Sequence, residues 1–257
     1  MAILVSSDAT VLMHAAAAHC LRLYHDAVDA RGVFHMALSG GSTPKSLFQL
    51  LATSDYAAQF DWSLVHLWWS DERFVPLDHP DSNYRMAYEV MISKVPIPAS
   101  NVHATPVNRL HLVSVNPGDG DQFTLLEAAR TDAAQYEADI LASIGAPPVF
   151  DLILLGIGDD GHTASLFPGT LGDVPADRLV IAHFVPKVNM QRITFTPKLI
   201  NAAYHVAFLV SGKGKTSVLD RVVRGPHLPD VLPSQLVAPV NGEVTWLIDR
   251  DAAGANF

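Results

Sequence analysis

Residues 150–170, FDLILLGIGDDGHTASLFPGT, constrain the fold more tightly than any other stretch of the chain. Leu152, Ile153, Leu154 and Leu155 make an apolar run too short for a helix and closed by glycine, which reads as a strand buried on both faces. The strand delivers a loop holding three glycines, two carboxylates (Asp159 and Asp160) and His162. Residues 163–167 have the composition of a short helical turn, stopped by Pro168 and Gly169. Loops at the carboxyl ends of buried parallel strands are where open α/β folds usually place their sites.

The chain around this stretch alternates strand, turn and helix. Residues 8–30 carry apolar side chains at helical spacing, with Asp8 as cap and Arg31-Gly32 as the stop. Residues 33–38 read as a strand, SGGSTP as a Gly-rich turn, and 45–52 as an amphipathic helix opened by Pro44 at its first position. A strand over 64–69 ends in Ser70, Asp71, Glu72 and Arg73, and a polar, proline-punctuated segment leads into a helix over 84–93. Prolines, asparagines and glycines between 95 and 122 predict a long surface excursion; a helix over 124–143 follows, stopped by Gly145 and Pro147-Pro148. Short strands are expected over 179–184, 193–196 and 206–210, with a helix over 197–203 capped by Thr196. A third Gly-rich turn, 211–215, precedes a helix over 216–223, and 244–248 supply a last strand. The alternation predicts an α/β fold with a mainly parallel sheet. No repeat or low-complexity tract divides the chain, so residues 1–257 are read as one domain.

Composition narrows the partners. Over 257 residues, 49% hydrophobic and 17% charged is the balance of a globular protein with a large core. The formal charge of -9, with Lys and Arg scattered, argues against nucleic acid or an anionic membrane as the partner, so an anionic ligand must be held by a local group of cations and amides. A single cysteine, Cys20, excludes an internal disulfide framework, and no cysteine pair offers a zinc site. The start of the chain lacks the pattern of a signal peptide, and no apolar span approaches about 18 residues. A cytoplasmic protein is expected.

Three loops carry chemistry-bearing residues. GIGDDG, 156–161, matches a dinucleotide fingerprint, but two aspartates stand where a pyrophosphate must approach backbone amides, and Pro168 cuts short any following helix. SGKGKTS, 211–217, is not a nucleotide P-loop, because Leu209 stands where that motif needs glycine; it reads equally as an anion cradle or as a solvated turn. SGGSTPKS, 39–46, places Gly40, Gly41, Ser42 and Thr43 ahead of a helix, suited to a phosphate or oxyanion or simply to a capped turn. His162 is one of twelve histidines, yet it lies beyond a buried strand with Asp160 close enough to fix its tautomer, and an imidazole in ordinary surroundings titrates near pH 6.5. A lone histidine among aspartates supports a tightly held metal poorly.

With these loops in place the sequence resembles the 6-phosphogluconolactonase family, within the group that also holds glucosamine-6-phosphate deaminases and isomerases. The resemblance is carried by SGGSTPKSLFQLL (39–51), WWSDERFVPLDHPDSNYRMA (68–87), DLILLGIGDDGHTASLFPG (151–169), RITFT (192–196), LPSQLV (232–237) and NGEVTWLID (241–249). Asp159 stands where members often have proline, and residues 107–123 look longer than usual. The resemblance implies a Rossmann-like doubly wound sheet flanked by helices, with a small additional lobe. It implies hydrolysis of 6-phospho-D-glucono-1,5-lactone to 6-phosphogluconate without metal or organic cofactor. By the same resemblance His162 would activate a water with Asp160 orienting it. Arg73, Arg192, Lys215 and the Gly40, Gly41, Ser42, Thr43 turn would hold the phosphate, and Asp71 would lie near the sugar hydroxyls. The partner would be the small phosphorylated lactone alone, with no nucleic acid or membrane, and a monomer is favoured slightly. A deaminase of the same group would carry a glutamate five residues after the loop histidine; Phe167 stands there. A sugar-phosphate-sensing domain without turnover is the non-enzymatic alternative.

Overall fold

The first helix shows how closely local chemistry sets the boundaries. α1 (Ala9–Arg31) starts where Asp8 accepts a hydrogen bond from Val11 N, and ends where Gly32 takes a left-handed conformation and returns its N–H to Val28 O. Asp8 and Gly32 act as read from the sequence. Residues 1–109, 122–170, 172, 175–255 and 257 are described in this computed structural model. The expected turns of 110–121 lie outside them.

Six parallel strands form the main sheet in the order β1-β9-β8-β5-β2-β3. They are β1 (Ala2–Ser6), β2 (Phe34–Leu38), β3 (Val65–Trp69), β5 (Leu152–Leu155), β8 (His205–Val210) and β9 (Glu243–Asp249). A second sheet of three antiparallel strands, β4 (Asp71–Arg73), β7 (Met190–Phe195) and β6 (Val180–Val185), is ordered β4-β7-β6. The α/β reading with a mainly parallel sheet and a small additional element therefore holds. Sequence reading missed β1, a short edge strand whose partner β9 lies at the opposite end of the chain.

Both faces of the main sheet are covered, which explains why its strands read as continuous apolar runs. Leu152 and Leu154 face a layer that includes α1, α2 (Ser42–Leu51) and α4 (Asn83–Val90), while Ile153 and Leu155 face one that includes α5 (Gln122–Ile144) and α7 (Thr216–Arg224). All four are at most 1% exposed. Truncating such a leucine to alanine costs about 2–5 kcal/mol.

The order of the strands creates the site. From β2 the chain moves outward to β3, then returns to lay β5 on the other side of β2 and continues through β8 to β9. The loops leaving β2 and β5 therefore diverge from adjacent strands, and a crevice opens at their carboxyl ends.

Three local expectations are corrected. α2 begins at Ser42, not at Pro44, because Gly41 (φ +104) turns the chain early. Proline is tolerated in that first turn, where no intrahelical N–H bond is made. Residues 163–167 form a bridged turn with Ala164 left-handed (φ +48), not a helical one. Their polar groups are spent on tertiary bonds, Thr163 Oγ1 to Gly156 O and Ser165 N to Thr194 Oγ1. Within the expected surface excursion, Asn101 and Thr105 are buried, Val102 bridges to Leu67, and His103 stacks on Trp68 at 3.8 Å.

Candidate functional site

The crevice is a cleft of about 400 Å³ lined from both sheets. Gly40 and Gly41 reach it from the turn after β2, His162 from the loop after β5, Asp71 and Arg73 from β4, Arg192 from β7, and Lys215 from the turn ahead of α7. The tertiary structure thus brings together residues from five separate parts of the chain. Ser42 and Thr43 are placed differently. They sit in the first turn of α2 and line a separate groove against α1, with Ala9 and Thr10 opposite.

His162 is held from two sides. Its Nδ1 lies 2.5 Å from Asp160 Oδ1, and its ring stacks on Phe167 with centroids 4.0 Å apart. Burial pushes the Asp160 carboxyl up, but hydrogen bonds from Lys187 and His162 outweigh it and bring it down to about 2. An ionised carboxylate only accepts, so Nδ1 carries the ring proton and Nε2 is left with the lone pair. The ring lies so close to the backbone that a Cβ on Gly158 would fall 2.0 Å from its Cε1 and Nδ1. Glycine is required at 158 for that close approach.

The cations opposite are short of acceptors. Arg73 and Arg192 are register partners across β4 and β7. Arg192 is 8% exposed, and burial, with help from Arg73, draws its guanidinium pKa down against the pull of Asp71. Nε of both arginines is buried with no acceptor among the described residues. Arg73 is steadied by an Nη1 bond to Asp81 O at 2.6 Å. A buried guanidinium beside a partly buried one, each with an unused Nε donor, is chemically suited to an anion.

Acidic residues of the second sheet serve as scaffold. Glu72, 1% exposed, accepts from Arg73 N, Asn83 N and Tyr84 N, each at 2.8 Å, and from Ser82 Oγ. Burial pushes its carboxyl up, and the amide bonds oppose that shift. It pins the start of α4, an anionic group at a helix N-terminus. Asn83 then reaches the cleft, donates to Asp71 O at 2.9 Å, and packs where a Cβ on Gly40 would be 2.0 Å away. Asp71 accepts from Ser165 Oγ at 2.7 Å. The SDER cluster, ambiguous in the sequence, is both strand and site wall.

Two lysines also line the cleft. Lys215 pairs with Asp159, whose carboxyl is held down by that hydrogen bond first of all. Lys187 pairs with Asp160 at 2.6 Å. In the 211–217 turn, the hydroxyl of Ser211 and the amide of Gly212 are engaged by Asp249, and Lys215 lines the cleft. Sequence reasoning overlooked Asn83, Ser165 and Lys187. Asn83 and Ser165 sit inside motifs quoted above, but only their tertiary partners mark them; Lys187 has no local signal. Among the described residues no group of three or more His, Cys, Asp or Glu side chains is arranged to hold a metal, and no helix is long and apolar enough to cross a membrane.

This arrangement has close relatives. The family model described as glucosamine-6-phosphate isomerases/6-phosphogluconolactonase matches residues 7–246. A 6-phosphogluconolactonase of Nostoc sp. is 39% identical over 258 residues, covering 98% of this chain and 97% of that protein. One from Synechocystis sp. is 39% identical over 230 residues, covering 88% and 86% respectively. Among solved structures, the 6-phosphogluconolactonase from Trypanosoma cruzi superposes with a TM-score of 0.86 at 30% identity, covering 99% of this chain and 96% of that one.

Proposed function

The chain belongs to the glucosamine-6-phosphate isomerase/6-phosphogluconolactonase family, and from that premise we propose how its cleft carries out the reaction. The protein is an enzyme that hydrolyses 6-phospho-D-glucono-1,5-lactone to 6-phospho-D-gluconate, the second step of the oxidative pentose phosphate pathway. In our reading His162 Nε2 takes a proton from a water as its oxygen attacks the lactone carbonyl carbon. The tetrahedral intermediate collapses with cleavage of the bond from that carbon to the ring oxygen. His162 returns the proton to the departing oxygen, leaving an open-chain acid. Asp160 keeps the imidazole in the required tautomer.

The phosphate sits against Arg73 and Arg192, with Lys215 adding a point charge and Gly40 and Gly41 allowing close approach. Anchoring the phosphate at one end of the cleft presents the carbonyl to His162 at the other. Asp71, held by Ser165, lies where sugar hydroxyls would pass. Ser42 and Thr43 act through the first-turn amides of α2 in this reading, because their side chains line another groove. No step requires a metal or organic cofactor. One catalytic unit over residues 1–257, acting as a monomer in the cytoplasm on the small lactone alone, completes the proposal.

The observation that carries it is the pairing, within one cleft, of an imidazole whose Nδ1 is engaged by a carboxylate with two arginines whose buried Nε atoms lack acceptors among the described residues. Phe167 against the His162 ring favours the lactonase over a deaminase, since an apolar side chain there cannot move protons. The test is hydrolysis of freshly generated lactone by wild type and His162→Ala, corrected for spontaneous ring opening. A loss of about 100-fold or more in turnover with 6-phosphogluconate still bound supports the base assignment. Wild type no faster than the blank, or ammonia released from glucosamine-6-phosphate, would sink it.

A further inference from the structure

The Asp160 carboxylate is shared between two cations of different kinds. Its Oδ1 meets His162 Nδ1 at 2.5 Å and its Oδ2 accepts from Lys187 Nζ at 2.6 Å. Lys187 lies in the 3-10 turn Pro186–Val188 that joins β6 to β7. We propose that Lys187 is a positioning residue for the hydrolysis, acting through Asp160 to hold His162 in its neutral, proton-accepting form. This rests on the reading of His162 as the base.

A carboxylate beside an imidazole has two effects. It orients the ring, which helps a base, and it stabilises the imidazolium, which in mildly acidic solution leaves the base already protonated. A lysine on the second oxygen cancels part of the negative charge without disturbing the first oxygen's bond. Lys187 thereby separates orientation from charge. Its side chain is 56% exposed and that of Asp160 22%, so solvent screens the effect to a modest size.

The other carboxylates around the cleft have partners of their own, and Arg73 and Arg192 do not touch Asp160. Asp159, on the same loop, is taken by Lys215 from the turn ahead of α7. Asp71 of β4 is held by Ser165 and lies near enough to attract the charge of Arg192 of β7, and Arg73 of β4 bonds to Asp81 O. His183 of β6 engages Ser165 O through Nε2. Among the described residues, Lys187 is therefore the counter-charge that directly touches the carboxylate orienting His162. The turn carrying it joins β6 to β7, the strand carrying Arg192, so Lys187 is borne by the same three-stranded sheet that carries Arg73 and Arg192.

Lys187 also lines the cleft, and a direct contact to phosphate is the competing role. The two are separated by titrating the His162 ring by NMR in the free protein, with His162→Ala to assign its resonances. Wild type, Lys187→Ala and Lys187→Arg are compared, alongside kcat/KM between pH 5 and 8. In Lys187→Ala we expect the ring to titrate at higher pH by about half a unit to one unit, and the acid limb of kcat/KM to move with it. Activity would then fall several-fold more at pH 6 than at pH 8, and Lys187→Arg would restore both. An unmoved titration in Lys187→Ala overturns the proposal: a rise in KM alone would assign Lys187 to the phosphate, and an equal loss at every pH would assign it to structure. A titration that moves while His162→Ala keeps wild-type turnover overturns the base reading, and with it the catalytic part of this one.

Discussion

Arg73 and Arg192 face each other in register across the antiparallel pair β4 and β7. Like charges directly opposite destabilise a sheet, and here the cost is increased by burial of Arg192. A protein gains from such an arrangement only when an anion completes it. The strain of the free state is then relieved in the bound one.

Arg192→Met should separate these effects. The free protein is expected to melt at or above the wild-type temperature, while KM for the phosphorylated lactone rises about 10- to 150-fold, the worth of a charged hydrogen bond of about 1.5–3 kcal/mol. Differential scanning calorimetry and initial rates check the two arms. An unchanged KM would remove Arg192 from the phosphate site.

Gly158→Ala should damage catalysis far more than folding. Its Cβ would meet the His162 ring at 2.0 Å, forcing the imidazole away from Asp160, and displacement of a reacting group by about 1 Å costs on the order of 100-fold. Turnover should fall by about that factor with product affinity little changed, as measured by rates and by calorimetric titration of 6-phosphogluconate.

Asp159 occupies Lys215, the lysine proposed to meet the substrate phosphate, and so would compete with it. Its exposed carboxylate is replaced by a neutral amide in Asp159→Asn, so product should bind a few-fold more tightly at low salt, with the gain fading as salt screens the site. Titrations at two ionic strengths would show it. Equal affinities for the two proteins at both would refute the competition.

Stability should fall in mild acid. His35 and His103 are brought down to about 4 by burial, reinforced by the charge of neighbouring His66. His35 Nδ1 accepts from Trp68 Nε1, and a single proton bridges His66 Nδ1 and His103 Nε2 at 2.9 Å. Folded-state values below the ordinary 6.5 mean that the unfolded chain binds more protons between pH 6.5 and 4. The contribution is therefore complete above pH 6.5 and is lost as pH falls towards 4. The slope is at most ~1.4 kcal/mol per pH unit for each histidine, and less for the partly exposed His103. Urea midpoints from pH 7.5 to 5 should decline accordingly. His103→Gln, which can still donate to His66, should flatten the curve.

Local chemistry made much of the fold legible. Asp8 and Gly32 bound α1 because a cap and a left-handed stop act within a few residues. Leu152 to Leu155 announced a central strand because both its faces are apolar. β1 was overlooked because its evidence is pairing with β9, more than two hundred residues away in the chain. The helical expectation for 163–167 failed for a related reason: hydrogen bonds to Gly156 and Thr194 override local propensity.

At the site, sequence determined the chemical inventory: a histidine two residues after an aspartate, a Gly-rich turn before a helix, and arginines and a lysine in separate motifs. It also determined that Gly158 could sit against the His162 ring, since only glycine lacks the colliding Cβ. Tertiary structure alone decided which of these groups meet. It turned Ser42 and Thr43 towards another groove, set Arg73 beside Arg192, and brought Lys187 to Asp160. The physical reason is range: caps, turns and periodicity act over one or two turns of chain, whereas electrostatic and packing contacts depend on distances that exist only after the sheet has been assembled.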